Sequence, residues 1–110
     1  MIDETLQEIR LRNSPDLAQV FFNCCRQKDA QKAMAKLQSQ PLRPFTEGVN
    51  VGEKFKRVSK RSLVSRYDRA LLLSDQLRMS RGITENIVYL DADHAVYCSA
   101  VKQMIDELLR

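Results

Sequence analysis

This sequence predicts a mostly all-α fold: a compact bundle of three or four helices with a Pro/Gly-containing loop in the middle. Two observations carry that reading. Glycine and proline are scarce, at three each in 110 residues, while Leu, Gln, Lys, Arg and Ala abound, a balance that suits helices better than tight-turned sheets. Apolar residues also recur at helical spacing in three separate stretches. The length is that of one ordinary domain, 1–110, read as two helical halves (1–40 and 59–110) joined by the loop 41–58.

A short amphipathic turn or helix carrying Ile2, Leu6 and Ile9 opens the chain. Ser14-Pro15-Asp16 is a good helix start. The Ser14 hydroxyl can accept from an orphan amide, Pro15 has no amide to leave unpaired, and Asp16 sits at the positive helix end. From there Leu17, Val20, Phe21 and Cys24 share one helical face, and Ala30, Ala33, Met34 and Leu37 the opposite one. The stripe changes sides near 26–29, which allows either a break with Asp29 as a new cap or one continuous helix to about Ser39. The lack of Gly and Pro there favours the continuous helix. The stretch 41–52 holds two prolines and two glycines and reads as a non-helical linker. Within and after it Val49, Val51 and Phe55 alternate, but no partner strand is evident.

A second long helix is expected from between Ser59 and Ser62 to Arg81, gathering Leu63, Tyr67, Ala70, Leu71, Leu73 and Leu77 on its main face. Arg78 and Arg81 complement its negative end, and Gly82-Ile83 fits a left-handed cap followed by an apolar residue. The segment 86–90 is β-branched and aromatic enough for a minor short strand near 87–90, with a helical turn capped by Thr84 as the alternative. The last helix is expected from about Ala92, with Asp91 and Asp93 at its positive end. Its face of His94, Tyr97, Cys98, Val101, Met104, Ile105 and Leu108 should dock in the core.

No apolar run is long enough to cross a bilayer and the first dozen residues mix both charges, so neither a membrane partner nor a signal peptide is expected. Cys24, Cys25 and Cys98 make a poor disulfide framework, because one is left over and neighbours in sequence do not bridge easily. A reducing, cytoplasmic compartment is the expectation.

Charge distribution is the most informative functional feature. Residues 54–69 contain Lys54, Lys56, Arg57, Lys60, Arg61, Arg66 and Arg69 against Asp68 alone, a local balance of +6 in a chain of net charge +4. The remainder of the chain is therefore net acidic. Such a segment can hold phosphates by releasing condensed counterions, with Ser59, Ser62 and Ser65 as hydroxyl partners. On the expected helix, Arg61, Ser62, Ser65, Arg66 and Arg69 are the candidates for reaching into a duplex groove. An aromatic stacking platform is not expected, because only Phe55 and Tyr67 lie among the cations and Tyr67 is assigned to the buried face. The candidate nucleic-acid-binding set is thus Lys54, Lys56, Arg57, Lys60, Arg61, Ser62, Ser65, Arg66 and Arg69, for DNA or RNA.

The same cations ring the helix more than they stripe it. A competing partner is therefore an acidic or apolar protein surface, gripped by a helical adaptor, chaperone or inhibitor, and a homodimer is compatible with apolar residues lying off the main helix faces. A merely solvated basic surface needs no partner at all. Basic residues just before Ser59 and Ser62 also suit basic-directed kinases.

Signals for chemistry are weak. His94 and Cys98 stand one helical turn apart and could offer two metal ligands, but no Cys-x-x-Cys accompanies them and their stripe is apolar, which reads as core. The pairs Asp91 with Asp93 and Asp106 with Glu107 read as helix-terminal or surface charges. Gly48-x-x-x-Gly52 lacks the Lys-Ser/Thr that completes a phosphate-binding loop. No catalytic residue, metal or cofactor is expected, and the chain reads as a small, non-enzymatic, nucleic-acid-binding accessory or regulatory protein.

Overall fold

Two four-residue strands set the architecture. β4 (Ser62–Ser65) and β5 (Ile87–Leu90) pair in parallel, with Ser62 opposite Ile87 and Ser65 opposite Leu90. In the computed structural model, which describes residues 2–3, 7–12 and 14–110, the remaining strands are β1 (Ile2–Asp3), β2 (Glu8–Ile9) and β3 (Gln40–Pro41). The helices are α1 (Leu17–Phe21), α2 (Gln27–Ala35), α3 (Arg43–Thr46), α4 (Glu53–Arg57), α5 (Leu73–Arg81), α6 (Val96–Ser99) and α7 (Val101–Leu108). The structure is 43% helical and 12% strand, so the expected three- or four-helix bundle is wrong. Short helices surround two small sheets instead.

The largest correction falls on the helix expected to reach Arg81 from Ser59–Ser62. Its first half is strand and loop, and only 73–81 is helical. Val64 and Leu90 are almost wholly buried, and parallel strands of this kind read as short apolar runs rather than as alternating patterns. The loop after β4 is shaped by Asp68, whose Oδ1 accepts the amides of Ala70 and Leu71 at 2.8 and 2.9 Å, an Asx-type turn. Gln76 on α5 then serves the outer side of β4. Its Oε1 accepts the Ser65 amide at 2.8 Å, and its Nε2 donates to the carbonyls of Ser65 and Leu71 at 2.9 and 2.8 Å. One buried side chain thereby stands in for a neighbouring strand.

The continuous helix expected over 17–39 is likewise broken, into α1 and α2. α1 starts later than Ser14 would set it: Asp16 is the N-cap and no side chain caps it, while Ser14 accepts the Asp16 amide at its hydroxyl and the Leu17 amide at its carbonyl. The chain leaves the helix at 22–26, where the fully buried Asp93 takes the Cys24 amide at 2.8 Å and the Cys25 thiol at 3.3 Å. Asp29 lies in the first turn of α2, paired with Arg26 at 3.0 Å.

Helical turns also enter the stretch expected to exclude them. Pro44 sits at the start of α3, where no amide is needed, and the buried Leu42 before it donates its amide to the Gln7 carbonyl at 2.7 Å. Near the N-terminus the expected helical turn is replaced by strand: β2 pairs antiparallel with β1 and β3, with Ile2 opposite Ile9 and Ile9 opposite Gln40. Leu6 lies outside the described residues. Helix α5 ends at Arg81 as expected, but Gly82 has φ −73° and makes no left-handed cap; the amides of Ile83 and Thr84 both close on the Ser80 carbonyl.

The strand near 87–90 is present. The last helix is interrupted at Ala100, giving α6 and α7, and Tyr97, Val101, Ile105 and Leu108 face solvent rather than the core. The core is small. Phe22, Ala30 and Ala95 form one buried cluster with Phe21, Cys25, Ala33, Met34 and Cys98 against it, while Val64, Leu90 and Ala92 are buried along the parallel strands.

Candidate functional site

Parallel strands aim their carboxyl ends at one edge, the place where open α/β sheets hold ligands. Here that edge collects three loops: 66–72 after β4, 91–95 after β5, and 22–26 between α1 and α2. Asp93 ties two of them together. Besides Cys24 and Cys25, it accepts the Ala95 amide at 2.9 Å and the Ser99 hydroxyl at 2.7 Å. Burial pushes its carboxyl pKa up, but the bonds from Ser99, the Cys24 amide, Cys25 and the Ala95 amide outweigh that and hold it below the ordinary carboxylate value. Asp93 is therefore a charged internal post.

Asp68 ties the third loop. While Oδ1 shapes the turn, Oδ2 meets His94 Nδ1 at 2.9 Å, and His94 stands edge-on to Phe21 with ring centroids 5.2 Å apart. Between these posts the Tyr67 backbone is held from both sides. Its amide donates to the Ala92 carbonyl at 2.9 Å, and its carbonyl accepts Asn23 Nδ2 at 2.8 Å. The Tyr67 side chain projects outward and is 53% exposed.

Asn23, Cys24, Arg66, Tyr67, Asp68 and Arg69 line an open cleft of about 380 Å³ at this edge. The Arg66 guanidinium lies 5.3 Å from the Tyr89 ring centroid and 3.6 Å from Asp91 Oδ1, both exposed contacts. Arg69 donates a long bond of 3.4 Å to the Gln19 carbonyl. The Cys24 thiol is exposed; burial of its surroundings and the Asp93 charge raise its pKa, with Arg69 opposing. Burial pushes the Cys25 thiol up much further, aided by its bonds to Asp93 and Cys98. Neither cysteine is primed as a thiolate. Among the described residues no three His, Cys, Asp or Glu side chains converge as metal ligands.

The nine residues singled out from the sequence fall into four groups. Lys54, Lys56 and Arg57 are exposed on α4, with Lys56 paired to Glu53 at 3.0 Å. Lys60 curls back, donating to the Val58 and Lys56 carbonyls at 2.7 and 3.3 Å, and sits 4.6 Å from the Phe55 ring centroid. Arg61, Ser62 and Ser65 are engaged internally: Arg61 binds Glu107 through its carboxylate at 3.0 Å and its carbonyl, Ser62 shares a 2.5 Å hydrogen bond with Ser80, and Ser65 is the buried partner of Gln76. Arg66 and Arg69 line the cleft. The expected single basic helix is corrected to cations at the two ends of β4, because strand and loop direct them differently from a helix.

Sequence reasoning missed Tyr67, Tyr89 and Asn23. Tyr67 belongs to the helical face expected over 59–81, whose first half is strand and loop here, and Tyr89 stands opposite the buried Val64 yet is 38% exposed, which nothing in its own run foretells. No protein-family model matches the chain, no curated protein matches it in sequence, and no solved structure matches it in fold.

Proposed function

We propose that this chain is a small nucleic-acid-binding protein that takes a single strand of RNA or DNA at the carboxyl ends of β4 and β5. The observation that carries the reading is Tyr67: a half-exposed ring on a backbone held from both sides, flanked in sequence by Arg66 and followed by Arg69, all three lining one open cleft. Single strands are held by basic grooves that track phosphates together with aromatic faces on which bases stack. Tyr89, with Arg66 over its ring, adds a second open aromatic surface on the same strand pair.

Lys54, Lys56, Arg57 and Lys60 precede β4, and Arg66 and Arg69 follow it. The strand rise puts Lys60 and Arg66 roughly 20 Å apart, a span of several phosphates. The α4 cations contribute sequence-independent attraction, and the cleft contributes stacking. Arg61, Ser62 and Ser65 have internal partners and leave the contact set. The reading requires no catalysis and no cofactor. Among the described residues no helix is long and apolar enough to cross a membrane, and no membrane partner enters it.

The test is fluorescence anisotropy of labelled single-stranded RNA, single-stranded DNA and a duplex against the purified protein, Y67A and R66A/R69A. Y67A should weaken single-strand binding about 5- to 150-fold, the usual worth of one stacked base, and R66A/R69A at least as much. Circular dichroism should stay unchanged, since these side chains are exposed. Absence of binding at low salt, or variants that bind like the parent, would overturn the proposal.

A further inference from the structure

We infer that the outward face of α7 is a two-fold interface that takes a second copy of this chain, packed antiparallel. The helix is attached to the body by its polar side. Gln103 Oε1 accepts the Asp91 amide at 3.2 Å, and Glu107 is the half-buried partner of Arg61. Amphipathic helices ordinarily turn their apolar stripe inward. Here Val101, Ile105 and Leu108, spaced i, i+4, i+7, are 44%, 45% and 65% exposed, with Leu109 exposed just beyond and Tyr97 before them. A continuous apolar stripe on an outward helix face marks an interaction site rather than a scattered surface residue.

The charges beside the stripe identify the occupant. Lys102 and Asp106 form an exposed ion pair at 3.0 Å on one flank of it. The stripe runs from 101 to 108, so its midpoint lies between Met104 and Ile105, and the two charges straddle that same level with opposite signs. Turned end for end about a two-fold axis there, Lys102 meets the partner's Asp106 and Asp106 the partner's Lys102. Val101 then meets the partner's Leu108, and Ile105 packs beside the axis. In a parallel two-fold pair the charged flanks fall on opposite sides of the seam and never meet, so only the antiparallel pair uses them. A partner of one dominant charge gains nothing from a flank whose charges cancel, whereas a second copy matches it in full, as isologous contacts require. One short helix offers less than the roughly 800 Å² per partner of a standard interface, so association should depend on concentration. The inference stands independently of nucleic-acid binding.

Sedimentation equilibrium over a micromolar-to-millimolar series tests it. The mass should rise from the monomer's 12.7 kDa toward twice that value. I105K and L108K should each keep the fold by circular dichroism and remain monomeric across the series. K102E and D106K alone should each weaken association tenfold or more. Mixing K102E with D106K should restore it, because every like-charge contact then becomes an opposite pair. A monomeric parent at all concentrations, association indifferent to I105K and L108K, or a K102E–D106K mixture no tighter than either variant alone would each overturn the inference.

Discussion

Asp93 is the residue on which the site depends most. Fully buried and charged, it accepts two backbone amides, a thiol and a hydroxyl, joining the 22–26 turn to the start of α6. Asp93→Asn puts an amide donor among donors, and the expected loss is about 2–4 kcal/mol, the range for breaking a buried, hydrogen-bonded charge. The pH dependence has a definite sign. Its folded-state pKa lies below the ordinary 3.8, so its contribution is complete above that value and disappears as pH falls through the lowered one. Urea midpoints of the parent should therefore drop on acidification below about pH 4, while those of D93N should drop less. The thiols offer a second check. Alkylation at pH 8 should reach the exposed Cys24 well before Cys25, and D93N should speed Cys25, which mass spectrometry of timed samples resolves. Little of this was legible in the sequence. Asp93 reads there as a helix-terminal charge, and its bond to the Ala95 amide fits that role, but its hold on Cys24 and Cys25 spans most of the chain.

At the scale of elements, β4 is the piece the sequence hides. Four residues with a serine at each end carry no period, and the spacing of Leu63, Tyr67, Ala70 and Leu71 imitates a helix face. What makes Ser62–Ser65 a strand is its parallel partner 87–90 and the Gln76 side chain that pairs with Ser65. Gln76→Ala strands a buried amide and carbonyl, with an expected cost of about 2–3 kcal/mol. Chemical denaturation should show it, with amide exchange of Ser65 accelerated. Features set by local chemistry were legible: a helix beginning just after Ser14-Pro15-Asp16 and the end of α5 at Arg81, while the strand at 87–90 was one of two readings its residues allowed. Those set by distant partners were not, including the 22–26 break and the interruption at Ala100. The site shows the same division. The basic character of 54–69 is plain in the sequence, yet the separation of its cations to the two ends of β4, and the exposure of Tyr67, follow from strand pairing.

At the scale of the molecule, a small core supports an irregular surface. Three of the seven buried apolar residues among those described are alanines, so stability leans on the buried polar posts Asp68, Gln76 and Asp93 as well as on apolar burial. Posts of this kind hold loops in place, and loops held on a rigid edge are suited to binding. The basic cations are spread over that edge and α4, while the apolar stripe of α7 lies on a helix bound to the body by its polar side. The central claim is that exposed cations on 54–69 contact phosphates, and the dependence of single-strand affinity on salt tests it most directly. With Lys54, Lys56, Arg57, Lys60, Arg66 and Arg69 engaged, log affinity against log salt should fall with a slope of about −4.2, and R66A/R69A should reduce its magnitude by about 1.4. A slope near zero, or one unchanged in R66A/R69A, would contradict the claim.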